Sequence, residues 1–327
     1  MESKKSKVFF RNEPKLSPHE AQNGFNKRRV ALIPQVKKFI SSHQRFKDKE
    51  VNVIFAHKGV SSLVCIVETI EEKLVLKIPL STTHSFCEDQ FLNVWRNIGV
   101  RVPHIIEKGG LGEHSYLLMD YIDASTIGEK FNNEELIKNS TYFEMGIILS
   151  KMHEPKGEGY GQIIDNKPEF SLFKDWLAST DMKERFRAAE EGKLLSKEHG
   201  LLLDACEILL EYIGNSKESS YCHFDFCPDN IFATEPITVF DPNSQFNNRY
   251  IDLGRSIVIH IANNSTFPKQ MVNGYFGGKP YNKKVLQAAI LVNSYMKFYY
   301  WHQVKKLKEI KNVQEYLTNT TYLFWEK

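Results

Sequence analysis

The segment His223-Phe224-Asp225-Phe226-Cys227-Pro228-Asp229-Asn230 spaces a histidine, an aspartate and an asparagine as H-x-D-x-x-x-x-N. Eleven residues after Asn230, a second carboxylate ends the apolar run Val239-Phe240-Asp241. Side chains of these types at this spacing suit phosphoryl transfer from a nucleotide. Asp225 would orient a hydroxyl nucleophile and accept its proton, and Asn230 and Asp241 would offer hard oxygen ligands to Mg²⁺ against the phosphates. His223 is expected to hold the loop by hydrogen bonds rather than react. Asp252, in Tyr250-Ile251-Asp252-Leu253-Gly254-Arg255, is expected to anchor it. The blander reading is an Asp/Asn-rich turn between a helix and a hairpin.

The elements upstream decide between the two. Val75-Leu76-Lys77-Ile78-Pro79 sets a lysine inside an apolar strand. An ammonium there needs a partner, because an unpaired buried charge is costly. Glu88, on the inward face of the helix expected over 86–97, is that partner, with Asp89 as the alternative. Paired in this way, Lys77 would point at the α/β-phosphates; otherwise it is a strand-end lysine snorkelling to water. The turn His57-Lys58-Gly59-Val60-Ser61-Ser62 can cover phosphates through its backbone N–H groups and the hydroxyls of Ser61 and Ser62, although with Gly59 alone it reads equally as an ordinary hairpin. At the exit of the apolar run Tyr116–Met119, backbone groups of Met119, Asp120 and Ile122 are placed to meet the edge of a nucleotide base, or the run is a plain strand exit.

The coarse pattern is α+β. Apolar residues Val30, Ile33, Val36, Phe39 and Ile40 predict a leading helix over 26–46, and residues 1–24 read as a loosely held arm. Strand runs follow at Val51–Ala56, Leu63–Thr69, Leu74–Pro79, Ile105–Lys108 and Tyr116–Tyr121. Helical patterns over 134–153, 200–213, 283–309 and 312–325 dominate the rest, with a small hairpin, Asn230–Ala233 and Ile237–Phe240, beside the H-x-D loop. Two lobes are expected: residues 1–119 as the nucleotide-binding lobe and residues 120–327 as the catalytic and acceptor-binding lobe.

Composition narrows the classes. A net charge of +3 in 327 residues argues against nucleic acid or a membrane surface as the partner of the whole chain. The charge is unevenly placed: 19 basic and 12 acidic side chains in residues 1–119, 12 and 22 in 120–230, and 12 and 6 in 231–327. Five scattered cysteines without a C-x-x-C pair read as reduced thiols; Cys222, His223 and Cys227 lie close together, but no four-ligand zinc site is visible. The start Met1-Glu2-Ser3-Lys4-Lys5 lacks an apolar signal core, and no run reaches a membrane span, so a cytoplasmic chain is expected.

Taken together, Val75–Pro79, Val102-Pro103, Leu117-Leu118-Met119-Asp120, His223-x-Asp225-x-x-x-x-Asn230 and Asp252-Leu253 resemble the aminoglycoside phosphotransferase family from about Val51 to Trp301. That family is the small-molecule branch of the protein-kinase-like fold. The resemblance implies a five-stranded antiparallel sheet with one main helix ahead of a larger helical lobe. It also implies ATP or GTP as donor with Mg²⁺, Lys77 on phosphate, Glu88 in its ion pair, Asp225 as base, and Asn230 and Asp241 on magnesium. The chain departs from the family pattern at Phe224, where glycine is frequent, and at Pro242-Asn243 after Asp241. A protein kinase would need a long activation segment and an A-P-E signature; Asp252 follows Asp241 by only eleven residues. A pseudokinase would be expected to have lost one of Lys77, Asp225, Asn230 and Asp241. The acceptor read from the sequence is a small hydroxylated molecule, a sugar-like or amino-alcohol metabolite in preference to an aminoglycoside, because the last third is basic. Asp123, Glu134, Glu135, Glu158, Asp165, Asp175 and Asp181 are the carboxylates that would favour a polycation. The aromatic run Phe298-Tyr299-Tyr300-Trp301 reads as helix packing rather than a cage for quaternary ammonium.

Overall fold

The computed structural model describes residues 7–16, 24–56, 61–80, 87–164, 167–192 and 199–324. Contacts divide the chain into two compact units, Met1–Asn93 with Val102–Asp123, and Val94–Arg101 with Ala124–Lys327.

The first unit is a helix on a sheet. Strand β1 (Lys7–Arg11) precedes helix α1 (Gly24–Ser42). Then come β2 (Glu50–Phe55), β3 (Ser62–Glu68), β4 (Lys73–Pro79), helix α2 (Glu88–Asn97, its last turn grouped with the second unit), β5 (Ile105–Leu111) and β6 (His114–Asp120). The sheet order is β1-β2-β3-β4-β6-β5. Strands β2 to β6 pair antiparallel, as expected, whereas β1 is a sixth strand lying parallel to β2. It comes from the stretch expected to be a loose arm. Its alternation explains the difference: Val8 and Phe10 turn inward onto the core, while Lys7, Phe9 and Arg11 face water. In β2 the same period buries Val51, Val53 and Phe55. Helix α1 covers that face with Leu32, Ile33, Val36 and Ile40, spaced three and four apart. Each of these fully buried side chains contributes roughly 1.5–3 kcal/mol.

The second unit is mainly helical. Short helices α3 (Ile127–Lys130) and α4 (Asn133–Lys138) each begin with a capping box, Thr126 with Glu129 and Asn132 with Glu135. Helix α5 (Thr141–Met152) starts afresh after Ser140, whose left-handed backbone splits the single helix expected over 134–153. Strands β7 (Lys156–Glu158), β8 (Tyr160–Ile164) and β9 (Lys167–Phe170) follow, then helices α6 (Phe173–Leu177), α7 (Thr180–Glu191) and α8 (His199–Ile213). Strand β10 (Glu218–Cys222) leads into the H-x-D loop. After it come the hairpin β11 (Ile231–Phe232) and β12 (Thr238–Val239), then β13 (Gln245–Asn247). Four helices complete the chain: α9 (Arg249–Asn264), α10 (Lys269–Phe276), α11 (Lys283–Gln303) and α12 (Leu307–Phe324).

A second sheet of order β7-β10-β13-β8-β9 lies within this unit, and the sequence pattern gave no sign of it. Helices α5 and α10 approach through glycine: a methyl group on Gly146 would sit 2.1 Å from the Met271 carbonyl oxygen. Helix α11 packs against α7, α8, α9 and α12, and its Phe298 and Trp301 are buried while Tyr300 faces water. That is the packing role expected for the aromatic run. Among the described residues no helix is long and apolar enough to cross a membrane.

Candidate active site

In the first unit, β4 carries Lys77 and the first turn of α2 carries Glu88. Both are buried, and Lys77 Nζ donates a short hydrogen bond to Glu88 Oε2. Asp89, the alternative partner, points elsewhere and pairs with Lys108 of β5 at 2.7 Å. The carboxylate that neutralises Lys77 is therefore the one on the apolar face of the helix. Ser62 opens β3 and is buried, its carbonyl accepting from the Arg29 guanidinium at 3.3 Å, while Ser61 is exposed. Gly59 lies outside the described residues. At the end of β6, Met119 is buried, and the N–H groups of Asp120 and Tyr121 donate to the carbonyls of His104 (3.0 Å) and Lys73 (3.4 Å). Ile122, half-buried, follows directly.

In the second unit the H-x-D loop hangs from one carboxylate. Asp252, fully buried in the first turn of α9, accepts the His223 N–H on Oδ2 at 2.8 Å and the Phe224 N–H on Oδ1 at 2.8 Å. His153, at the end of α5, shares Oδ2 at 2.9 Å, and its other ring nitrogen is 2.7 Å from the Tyr275 hydroxyl. Burial pushes the Asp252 carboxyl up. The His153 hydrogen bond, the two nearby imidazoles and the Phe224 N–H outweigh that and hold it below the ordinary carboxylate range. Asp252 thus anchors the loop, as the sequence suggested; the part of His153 carried no sequence signal. Among the described residues, His153, Cys222 and Asp252 are the trio whose ligand atoms lie within 4.8 Å of one another. Each of the three is already committed, Cys222 donating to the Asn247 carbonyl at 3.4 Å.

His223 works as a brace. Its Nδ1 accepts the Asp225 N–H at 3.3 Å, so Nε2 carries the proton and donates to the Phe240 carbonyl at 3.0 Å. The ring stacks on Trp95, with centroids 6.0 Å apart. Burial lowers its pKa and outweighs the nearby carboxylates, which keeps the imidazole neutral. Phe224 has a left-handed backbone (φ 59°), the conformation that favours glycine. Its carbonyl accepts a short hydrogen bond from Arg255 Nε, and the Arg255 guanidinium lies 4.8 Å over its ring.

Asn230 ties the reacting group to the hairpin. Its amide nitrogen donates to the Asp225 main-chain oxygen at 2.8 Å and to Asp225 Oδ2 at 3.0 Å. Its main-chain oxygen accepts the Phe240 N–H at 3.1 Å, which brings Asp241 alongside. Asp241 is exposed, on a left-handed backbone (φ 53°). With the amide nitrogen of Asn230 donating to Asp225, its Oδ1 and the Asp241 carboxylate are the oxygens that could hold a cation. That all-oxygen set fits Mg²⁺ and not a thiophilic metal.

Lys297 of α11 was not anticipated. Its Nζ lies 3.6 Å from Asp225 Oδ1, with the lysine side chain 12% and the aspartate side chain 42% exposed. The signal was present: Lys297 is the lone charge in Tyr295-Met296-Lys297-Phe298-Tyr299, the same anomaly that singled out Lys77. Of the carboxylates of the acidic middle third, Asp123, Glu134, Glu135, Glu158, Asp175 and Asp181 are exposed, and Asp165 lies outside the described residues.

A family model described as "Phosphotransferase enzyme family" matches residues 52–280, more than half of the chain. No curated protein matches the sequence. Solved structures share the fold. The aminoglycoside phosphotransferase APH(4)-Ia is 12% identical, with a TM-score of 0.62 over 86% of this chain and 96% of its own. A putative fructosamine-3-kinase from Thermobifida fusca is 15% identical, with a TM-score of 0.51 over 82% and 95%. The spectinomycin phosphotransferase APH(9)-Ia, solved with ADP and spectinomycin, is 13% identical, with a TM-score of 0.52 over 82% and 90%.

Proposed function

The chain belongs to the phosphotransferase enzyme family, and we propose that it moves the γ-phosphate of ATP or GTP to a hydroxyl of a small molecule. One observation carries the reading. Asn230 clamps the backbone and carboxylate of Asp225 at 2.8 and 3.0 Å, on a loop braced by His223 and suspended from buried Asp252. A solvated Asp/Asn turn has no use for such a suspension. The half-exposed Asp225 carboxylate is the group that receives the acceptor hydroxyl, orients it and takes its proton as the bond to phosphorus forms. Positioning matters more than basicity here, because the transition state of phosphoryl transfer is loose and asks little of a base.

Asn230 Oδ1 and the Asp241 carboxylate would hold Mg²⁺, which, when bound, offsets the phosphate charge. Lys77, kept charged by Glu88, is the residue that would bind the α/β-phosphates. The base of the nucleotide would lie against the end of β6, where the N–H groups of Asp120 and Tyr121 are already used and Ile122 supplies the next one.

The test is ADP or GDP release by the full chain with Mg²⁺ over aminoglycosides, amino alcohols, sugars and nucleosides, beside Asp225→Ala. Acceptor-dependent release that falls by about 10²–10⁴-fold in Asp225→Ala is expected. Equal release by both proteins would refute the assignment. Nucleotide binding without turnover on any acceptor would favour a pseudokinase.

A further inference from the structure

We propose that Lys297 is a specificity-determining residue that makes the acceptor site favour hydroxylated molecules bearing an anionic group and reject polycations. The inference rests on the phosphotransferase reading and adds the charge of the substrate to it.

Helices α9 and α11 bring two cations against the H-x-D loop. Arg255 is buried, donates to the Phe224 carbonyl and covers the Phe224 ring. Lys297 lies 3.6 Å from Asp225 Oδ1. From α7, Arg185 adds a third positive charge whose field reaches Arg255, its own partner being Asp181 at 3.0 Å. Against them stand Asp181 on Arg185, the Asp241 carboxylate that Asn230 brings alongside, Asp252 and Asp225. Asp252 is engaged with His153 and the two loop N–H groups, and Asp225 also receives Asn230. Lys297 is the cation in direct contact with the reacting carboxylate, and Arg255 lies within its field.

The state of the ammonium agrees. Burial first, and then the like charge of Arg255, push the Lys297 pKa down to about 8 despite Asp225. A second negative charge at Nζ would relieve that pressure, and an ammonium has donors to spare beyond the one aimed at Asp225. The Lys297 side chain is 12% exposed, and its aromatic neighbour Tyr300, 5.8 Å away to the ring centre, is 40% exposed. A polycationic acceptor entering to place a hydroxyl on Asp225 would meet like charge instead.

Matched acceptors that differ only in end group test this on the full chain: gluconate, glucitol and glucamine, and glycerate, glycerol and 3-aminopropane-1,2-diol. Wild type should favour the anionic member of a set over the neutral one by about 10- to 100-fold in kcat/KM, the upper figure following from unit charges about 6 Å apart at an effective dielectric near 20. The difference should lie mainly in KM, with the cationic member lowest. In Lys297→Met the ratio of anionic to neutral should fall to within about twofold, and Lys297→Arg should restore it. Using a ratio removes any general loss of rate or folding in the variants.

A wild-type preference for the cationic members or for kanamycin-type compounds would overturn the proposal, as would an anionic preference that survives Lys297→Met. Failure of the phosphotransferase reading shows differently, as release no greater than that of Asp225→Ala with every compound. In that event calorimetric binding of the same sets decides the charge proposal, and no anionic preference in binding overturns it.

Discussion

Replacing Asp252 should loosen the catalytic loop and weaken the second unit by amounts that its hydrogen bonds set. The carboxylate is fully buried and accepts three donors: the N–H groups of His223 and Phe224, each at 2.8 Å, and the His153 ring at 2.9 Å. Asp252→Ala strands all three, and each buried donor without a partner costs about 1–3 kcal/mol. The terms do not add, because the loop can shift toward water. The loss of a partner from a buried charged network, about 3–5 kcal/mol, sets the scale, so about 4 kcal/mol is expected. Asp252→Asn keeps an oxygen for the two donors that share Oδ2 but turns its amide nitrogen toward the Phe224 N–H, so about 2 kcal/mol is expected.

Urea unfolding followed by tryptophan fluorescence reads this directly, since Trp95 stacks on His223 and Trp176 lies edge-on to Phe224. The acid limb adds a second reading. The folded pKa of Asp252 is held below the unfolded one, so its contribution is complete above the ordinary carboxylate range and is lost as pH falls through the folded value. Asp252→Asn should flatten that limb. An asparagine variant within about 0.5 kcal/mol of wild type, with its acid limb unchanged, would show that the loop is not suspended from this residue.

Glu88→Gln should cost about 3 kcal/mol and lower acceptor-dependent nucleotide release about 100-fold, since the Lys77 it neutralises is 7% exposed; release unchanged from wild type would separate the pair from phosphate binding. His260, buried in α9, is pushed down to about 4 by burial, whereas an unfolded histidine titrates near 6.5. Its contribution is therefore full above about pH 6.5 and is lost as pH falls to 4, by about 3 kcal/mol; His260→Phe should remove that slope from an unfolding series, and an unchanged slope refutes the assignment. Phe224→Gly should be destabilising by about 2–3 kcal/mol, because losing a buried ring outweighs relief of the left-handed backbone. Phe224→Ala, which keeps the strain, should be about 1 kcal/mol worse, and an alanine variant equal to or better than glycine in the same unfolding assay would refute the strain argument.

Sequence reasoning reached the site where a residue sat against its local environment. Lys77 stood out in an apolar strand, and Glu88 followed as the carboxylate on the buried face. Strand β1 was missed because its alternation is only five residues long and lies in a polar stretch with Pro14 and Pro18 nearby. The second sheet was missed for a related reason. Its strands are three to five residues long and pair across large sequence gaps, as Ser220 does with Asn247, so no local period announces them. Lys297 did carry a local signal, a lone charge in an aromatic run, but its partner Asp225 lies in a distant part of the chain, so nothing in the sequence joined the two.

Phe224 and Asp241 show what the family pattern does and does not require. Both occupy left-handed backbone, at φ 59° and 53°, so the glycine frequent at the first position supplies a conformation that the fold demands. Phenylalanine can stand there because its surroundings leave no alternative. Its N–H is held by Asp252, its carbonyl by Arg255, and its ring lies between Arg255 and Trp176. A strained residue persists where neighbours over-determine it. The consequence reaches the acceptor. Arg255 is in place to fix the Phe224 peptide, and in doing so it sets a buried positive charge in the field of Lys297 and Asp225. Holding phenylalanine at this turn and placing positive charge near the reacting carboxylate are thus two effects of one guanidinium.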